Sequence, residues 1–194
     1  DDEYYPVDTQ TIDINFKLQH QADVFYAGMC YNDSWGYKKA KFLSHFTEFN
    51  LKIYGNSAWK KWLPFFPSLE NHYIETNGYI PTPDLNTMFN LAKIIPVDGN
   101  PGIFNGIHLR ALEALSAGAL PLMEYNKDMD FVFEGLNDLP IVKDYKEIPE
   151  MVTHYLKNEN KRISVVCKMK GMYKEKYSKE NLAIKIQETI TKKY

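Results

Sequence analysis

The sequence is poor in the features that mark several large classes of protein. It has only two cysteines, Cys30 and Cys167, in 194 residues, which argues against a disulfide framework and is typical of reduced core thiols in a cytosolic protein. No apolar run approaches the roughly 20 residues that cross a bilayer, and the acidic start DDEYYP lacks the parts of a signal peptide. The formal net charge of −2 gives no general attraction to nucleic acid or anionic membranes. We expect a cytoplasmic protein, at most peripheral to the inner face of a membrane.

The motifs of two kinds of ligand site are also missing. No G-x-G-x-x-G follows the first predicted strand, which argues against a dinucleotide oxidoreductase. Asp128 and Asp130 form a D-M-D sequence, but they follow the wrong strand for a metal-bound diphosphate, and we interpret them as loop acids. We therefore predict no metal site and no cofactor. The chain shows no internal repeat and no low-complexity tract.

Short apolar strands alternate with helical segments along most of the chain, beginning with the predicted strands Val24–Met29 and Leu51–Tyr54. This alternation favours an α/β fold, a parallel sheet with helices on both faces, and the 44% hydrophobic content is enough for one full core. Ligands of such sheets bind beyond the carboxyl ends of the strands. Because Gly28, Gly78 and Gly106 each lie at or beyond the end of a predicted strand, we expect their loops to meet at that rim.

The most informative stretch runs from Ile95 to Tyr125 as one strand, loop, helix and strand. Asn105 is the predicted N-cap of the helix, and Gly118 is the predicted C-cap. A helix start carries unpaired amide donors and a partial positive charge, so a glycine-rich loop leading into it suits an anion, phosphate above all. Arg110 would add a forked cation, and Glu113 would accept hydrogen bonds from sugar hydroxyls.

Plainer interpretations of the same residues stay open. Arg110 and Glu113 have i,i+3 spacing and can form a surface ion pair worth only a few tenths of a kcal/mol. The lysines at 38, 39 and 41 are predicted to be a solvated cluster on the wet side of a helix. The aromatic stretch that contains Trp59 and Trp62 either packs under the sheet or lines a sugar or partner surface.

The segment GIHLRALEALSAGALPL, residues 106–122, resembles the R-x-x-E-A-x-x-x-G pattern of the C-terminal domain of GT-B glycosyltransferases. The similarity is greatest to the spore-maturation-protein-like glycosyl transferase group, which is related to family 4. Other segments resemble that group in the same order: DVFYAGMCY, LKIYGNSAW, ETNGYIPTPDLNTMFNLAKI and IVKDYKEIPEMVTHYLKNENKR. The resemblance extends from about Asp23 to Ile190, and it implies a Rossmann-like sheet.

The resemblance implies a glycosyltransferase, or its donor-binding domain, in polysaccharide biosynthesis. Such an enzyme transfers a hexosyl group, with retention and without a metal, from a nucleotide-diphosphate sugar to a glycan, lipid or protein acceptor. The implied donor-binding residues are Asn105, Gly106, Ile107 and Arg110 for the diphosphate, Glu113 for the ribose, and Gly78, Tyr79 and Ile80 for the base. Gly28 and Lys38 would lie beside the diphosphate. In the family, an arginine and a lysine after the first strand reach the diphosphate. The arginine position corresponds here to Met29 or Cys30 and the lysine position to Lys38 or Lys39, so the cation of the arginine is missing.

One departure leaves the catalytic residue unassigned. A glutamate of family 4, eight residues before the one that matches Glu113, is Asn105 in this chain. A non-catalytic GT-B-like module that scaffolds glycan assembly is therefore the second hypothesis. A GT-B-fold sugar-nucleotide epimerase is a weaker third hypothesis, since its expected carboxylates are not evident. Because GT-B enzymes have two Rossmann-like domains and this chain starts without Met, we expect residues 1–22 to be an irregular lead-in from a missing N-terminal domain and 23–194 to be the donor-binding domain.

Overall fold

The computed structural model describes residues 4–99 and 106–191. Within these two ranges, six parallel strands form one sheet. They are β1 (Ala22–Ala27), β2 (Leu51–Gly55), β3 (Tyr73–Glu75), β4 (Ala92–Val97), β5 (Leu120–Glu124) and β6 (Ile141–Val142). Their order in the sheet is β3-β2-β1-β4-β5-β6. The chain reverses its direction of winding between β1 and β4, where ligands of such sheets bind.

Eight α-helices surround the sheet among the described residues. They are α1 (Ile14–His20), α2 (Ser34–Ser44), α3 (Thr82–Leu91), α4 (Leu109–Ala117), α5 (Asp128–Val132), α6 (Ile148–Lys157), α7 (Glu159–Tyr177) and α8 (Lys179–Thr191). Short 3-10 helices cover Ser57–Lys61, Pro67–His72 and Tyr145–Glu147. Within the described ranges, no helix is both long enough and apolar enough to cross a bilayer.

The core lies on both faces of the sheet because side chains alternate along each strand. Val24 and Tyr26 of β1 point into the larger cluster, which includes Phe42 of α2. Phe25 points into the other cluster, where its ring centre lies 5.7 Å from that of Phe89 in α3. The predicted parallel sheet with helices on both faces is therefore confirmed.

The predicted C-cap at the end of α4 is also confirmed. Gly118 has a left-handed φ of 91°, and its N–H bonds to the carbonyl groups at the end of the helix. A Cβ at Gly118 would meet no atom within 4 Å, and the same is true at Gly171 inside α7. The two glycines therefore differ in backbone conformation and not in the space around them.

Alanine at these two glycines is expected to change stability in opposite directions. Gly118→Ala should lower the free energy of unfolding by about 1–2 kcal/mol, because an L residue is strained in the left-handed region. Gly171→Ala should raise it by about 0.5–1 kcal/mol, because alanine loses less backbone entropy in a helix. Urea unfolding of both variants measures the difference. A stabilising Gly118→Ala change would contradict the left-handed cap.

The lead-in, predicted to be irregular up to residue 22, contains helix α1. Asp13 caps this helix: its side chain accepts hydrogen bonds from the backbone N–H groups of Asn15 and Phe16. The lead-in also packs on α3: the Tyr5 N–H donates to Asn86 at 3.1 Å, and the Val7 N–H donates to Asn90 at 2.7 Å. The prediction was wrong because Asp13, a favoured N-cap residue directly before the helix, was not used as a start signal.

Two tryptophans of the aromatic stretch position the loop after β1. Trp59 is fully buried and Trp62 is buried. Their indole N–H groups donate to the carbonyl of Gly28 at 3.1 Å and to that of Tyr31 at 2.7 Å. These tryptophans support the packing interpretation, and they hold a loop that borders the carboxyl rim of the sheet.

The two cysteines differ in environment. Cys30 is buried, as predicted for a core thiol, but Cys167 is exposed. Cys167 lies on α7, where its neighbours Val165 and Val166 are buried and form the apolar side of the helix. The prediction of a buried thiol at Cys167 was therefore wrong, because a helical context alone does not tell which side of the helix a residue occupies.

Candidate functional site

The three predicted glycine loops lie at one edge of the sheet. Gly28 follows β1, Gly78 follows β3 and Gly106 lies beyond β4. Because the strands are parallel, the carboxyl ends from which these loops leave face the same way. A ligand site assembled from separate loops is therefore possible at this rim.

A cavity of about 180 Å³ opens at the rim where β1, β4 and β5 end. It lies between the loop after β1, the first turns of α2 and the start of α4. Its lining residues are Met29, Tyr31, Trp35, Lys38, Lys39, Phe42, Asp98, Gly99, His108, Arg110 and Glu124. Charged side chains of both signs thus share a small concave space.

Arg110 is fixed at this rim by three partners. Its Nη1 donates to Asp98 Oδ1 at 2.9 Å, and its Nη2 donates to the carbonyl of Ala27 at 3.0 Å. The guanidinium carbon also lies 4.4 Å from the ring centre of Tyr26. Only 12% of the side chain is exposed, so the alternative of an Arg110 surface ion pair is wrong. The carbonyl of Ala27 is the end of β1, so the guanidinium faces the carboxyl rim.

Asp98, which the sequence reasoning missed, organises the cations of the cavity. It is buried, it accepts a hydrogen bond from the Tyr26 hydroxyl at 2.9 Å, and it lies 3.4 Å from Lys39 Nζ. Burial acts to raise the pKa of Asp98, but Arg110 and Lys39 outweigh it and hold this pKa below its ordinary value. The carboxyl group is therefore ionised. An aspartate directly after an apolar strand was the available signal.

The lysines of α2 were predicted to form a solvated cluster, but the structure shows that not all of them are solvated. Only 11% of the Lys39 side chain is exposed, and its ammonium group donates to the carbonyl of Met29 at 2.8 Å. Lys38 is more exposed and forms an ion pair with Glu124 at 2.8 Å. The solvated-cluster interpretation is therefore wrong for Lys39, because the first turns of α2 lie over the rim.

Glu124, at the end of β5, fixes the entrance to the glycine-rich loop. Its carboxylate accepts hydrogen bonds from the Gly99 N–H at 2.6 Å and from the Tyr145 hydroxyl at 2.7 Å. It also pairs with Lys38. Burial, together with the bond to this carboxylate, raises the pKa of Tyr145, so the hydroxyl keeps its proton and remains a donor.

Helix α4 starts later than predicted. Asn105 lies outside the described residues, but the helix begins at Leu109, and its N-cap is His108. The prediction of Asn105 as the cap was wrong because Gly106 has a left-handed φ of 100°, which interrupts the helix. The Gly106 N–H donates to Asp128 Oδ2 at 2.5 Å. Asp128 was interpreted as a loop acid, but it is the first residue of α5. Its carboxylate holds the end of the glycine-rich loop.

His108 caps α4 with a ring nitrogen. Its Nδ1 accepts a hydrogen bond from the Arg110 N–H at 3.1 Å. Burial, with smaller contributions from Arg110 and Lys39, lowers the pKa of His108 to about 4. The imidazole is therefore neutral at physiological pH. Sequence reasoning missed this residue because histidine is not among the favoured N-cap residues.

The other predicted residues do not line this cavity. Gly78 has a left-handed φ of 112°, Tyr79 is 80% exposed, and Ile80 packs against the α3 side of the core. Ile107 packs against the larger core cluster, and Glu113 is half-buried on α4. Across residues 4–99 and 106–191, no group of three or more His, Cys, Asp or Glu side chains could hold a metal ion.

Comparison with known proteins agrees with this fold. Sucrose-phosphate synthase from Thermosynechococcus elongatus is similar, with a TM-score of 0.70 and 14% identity over 98% of this chain and 50% of that chain. Anabaena HepE, in complex with UDP and glucose, is similar with a TM-score of 0.72 and 10% identity over 98% and 54%. The C-terminal domain of the glycosyl transferase group 1 family protein LpcC from Francisella tularensis has a TM-score of 0.63 and 10% identity over 91% and 96%.

These likenesses show that the fold is that of one half of a GT-B glycosyltransferase, since the chain spans about half the length of the first two structures. No curated protein matches this chain. A family model described as glycosyl transferase-like matches residues 38–188, which is most of the chain. The chain therefore belongs to the glycosyl transferase-like family.

Proposed function

We propose that this chain is the donor-binding part of a glycosyltransferase that uses a nucleotide-diphosphate sugar. The observation that carries the proposal is Arg110, in the first turn of a helix that starts at the carboxyl rim. Its guanidinium is oriented by Asp98 and by the end of β1, and it borders a cavity that Lys38 and Lys39 share. Such an arrangement suits an anion with several oxygens.

In this proposal the diphosphate lies at the start of α4, against Asn105, Gly106, Ile107 and Arg110, with Gly28 and Lys38 beside it. The half-buried Glu113 accepts hydrogen bonds from the ribose hydroxyls. The base lies farther along the rim, near Gly78, Tyr79 and Ile80, where a nearly fully exposed aromatic ring offers a surface for stacking.

The charges of the cavity fit a reaction without a metal. Three cations, Lys38, Lys39 and Arg110, face two carboxylates, Asp98 and Glu124, which leaves one net positive charge. The positive end of α4 adds to it. Charge that develops on the departing diphosphate would thus be stabilised by groups that are already oriented.

The finer assignments belong to the same proposal. They are transfer of a hexosyl group with retention, a glycan, lipid or protein acceptor, a role in polysaccharide biosynthesis, and action at or near the cytoplasmic face of a membrane. The acceptor would bind to an N-terminal Rossmann-like domain that precedes the described fold, with residues 1–22 as the connection. Membership of the spore-maturation-protein-like group related to family 4 rests on the sequence resemblance.

A second candidate function is a non-catalytic module that scaffolds glycan assembly. The observation in its favour is that the cations already have carboxylate partners: Lys38 is paired with Glu124, and Arg110 is paired with Asp98. A diphosphate must compete with these partners. Such a module would keep partner binding after the cations are removed, whereas a donor site would lose nucleotide affinity.

Isothermal titration calorimetry separates the two functions. We expect the 194-residue chain to bind UDP or GDP, and the corresponding nucleotide sugar, with a 1:1 stoichiometry. Binding should weaken as the salt concentration rises, because the contacts are between charges. A folded sample that binds none of a panel of UDP, GDP and their sugars would contradict the donor site and favour the scaffold.

A further inference from the structure

The cap of α4 fixes the tautomer of His108. A ring nitrogen that accepts a hydrogen bond carries no proton, and Nδ1 accepts from the Arg110 N–H at 3.1 Å. The single proton of the neutral imidazole is therefore on Nε2. Because the pKa of His108 is lowered to about 4 by burial and by the nearby cations, this neutral form is present at physiological pH.

The ring also forms part of the cavity wall, together with Arg110, Lys39 and Gly99. Among the described residues, no group pairs with Nε2, whereas the guanidinium of Arg110 and the ammonium of Lys39 both have protein partners. The Nε2–H is thus a hydrogen-bond donor that the described residues of the cavity leave available.

We propose that His108 is a further ligand-binding residue, whose Nε2–H donates to a phosphate oxygen of the nucleoside diphosphate. This inference rests on the proposed function. A neutral donor adds a hydrogen bond without placing a further positive charge beside Arg110 and Lys39, which a protonated ring would do. Neutral histidines at helix N-termini act as hydrogen-bond donors to substrates in other enzymes.

Two substitutions separate the cap from the ligand contact. In His108→Asn, the amide oxygen takes the place of Nδ1 and can still cap α4, because asparagine is a favoured N-cap residue, but the distal donor is lost. In His108→Gln, the longer side chain carries an N–H group to about the position of Nε2, while the cap is lost. Each substitution therefore removes only one of the two roles of His108, either the ligand contact or the helix cap.

The measurements are the Kd for UDP and GDP by calorimetry and the urea midpoint of each variant. We expect His108→Asn to weaken nucleotide binding about 10- to 100-fold with a midpoint near that of the wild type, since one hydrogen bond to a charged phosphate oxygen is lost. His108→Gln should lower the midpoint and change the Kd less than about twofold. Unchanged binding in His108→Asn would overturn the inference and leave the proposed function standing. Failure of the wild-type chain to bind either nucleotide would overturn both.

Nuclear magnetic resonance of the wild-type chain tests the same contact without a substitution. With ¹⁵N-labelled histidine, the ring of His108 should show the Nε2–H tautomer before nucleotide is added. Addition of UDP or GDP should move the Nε2 and its proton resonance and leave the resonances of His154, on the exposed side of α6, unchanged. An Nδ1–H tautomer, or an unmoved Nε2 resonance with nucleotide bound, would contradict the inference.

Discussion

Replacement of Arg110 by alanine is expected to weaken binding of a nucleoside diphosphate about 10- to 100-fold. The guanidinium is held by Asp98 and the carbonyl of Ala27, so its orientation is set before the ligand arrives. Loss of a charge-assisted hydrogen bond costs about 1.5–3 kcal/mol, and each 1.4 kcal/mol is about tenfold in Kd. Calorimetry with UDP and GDP measures the change.

Two further variants make this result specific. Lys93→Ala removes a cation that pairs with Asp23 at 2.7 Å near the amino ends of the strands, and it should leave the Kd unchanged. Arg110→Met combined with Asp98→Asn removes both buried charges, so it should recover stability without recovering affinity. If Arg110→Ala bound UDP and GDP as tightly as the wild type, Arg110 would not be a ligand-binding residue.

Replacement of Asp98 by alanine is expected to lower the free energy of unfolding by about 3–5 kcal/mol. The substitution leaves the buried guanidinium of Arg110 without its carboxylate, and an uncompensated buried charge is costly. It also removes the partner of Lys39 and of the Tyr26 hydroxyl. This loss is a large part of the 5–15 kcal/mol that is typical of a domain. Urea unfolding, with the midpoint and slope reported separately, measures it.

The ion pair of Asp23 with Lys93 is the matched control. Its side chains are 32% and 46% exposed, against 9% for Asp98, so Asp23→Ala should cost less than about 1 kcal/mol. Similar costs for the two aspartates would contradict the buried network. Since Arg110 holds the pKa of Asp98 below its ordinary value, the wild type should also lose this stabilisation as the pH falls below about 4. The Asp98→Ala variant should not lose it.

The fold could be predicted because its signals are local and repeated. Short, mainly apolar strands such as Leu51–Gly55 alternate with helical segments, and Gly118 marks a helix end in the left-handed region, which glycine tolerates without strain. Helix α1 was missed because it has only seven residues and its start signal, the N-cap Asp13, was not used.

The candidate site was predicted only in part, because its contacts join distant strands. Arg110 was found from its place near a helix start, but its partner Asp98 lies on the other side of the glycine-rich loop. Glu124 and Asp128 hold that loop from β5 and α5. The spacing of these carboxylates along the chain does not show that they lie close together, because only the order of the strands in the sheet brings them to one site.

A nucleoside diphosphate that binds at the carboxyl rim, where α4 begins, should change the environment of the backbone amides there. Amide chemical-shift mapping of the ¹⁵N-labelled chain during titration with UDP and GDP measures this change. We expect large shifts at Gly99, Gly106 and Arg110, with smaller ones at Gly78–Ile80. Shifts confined to the groove between α4 and α7, at Tyr173 and Lys174, or no shifts at saturating nucleotide, would contradict binding at this rim.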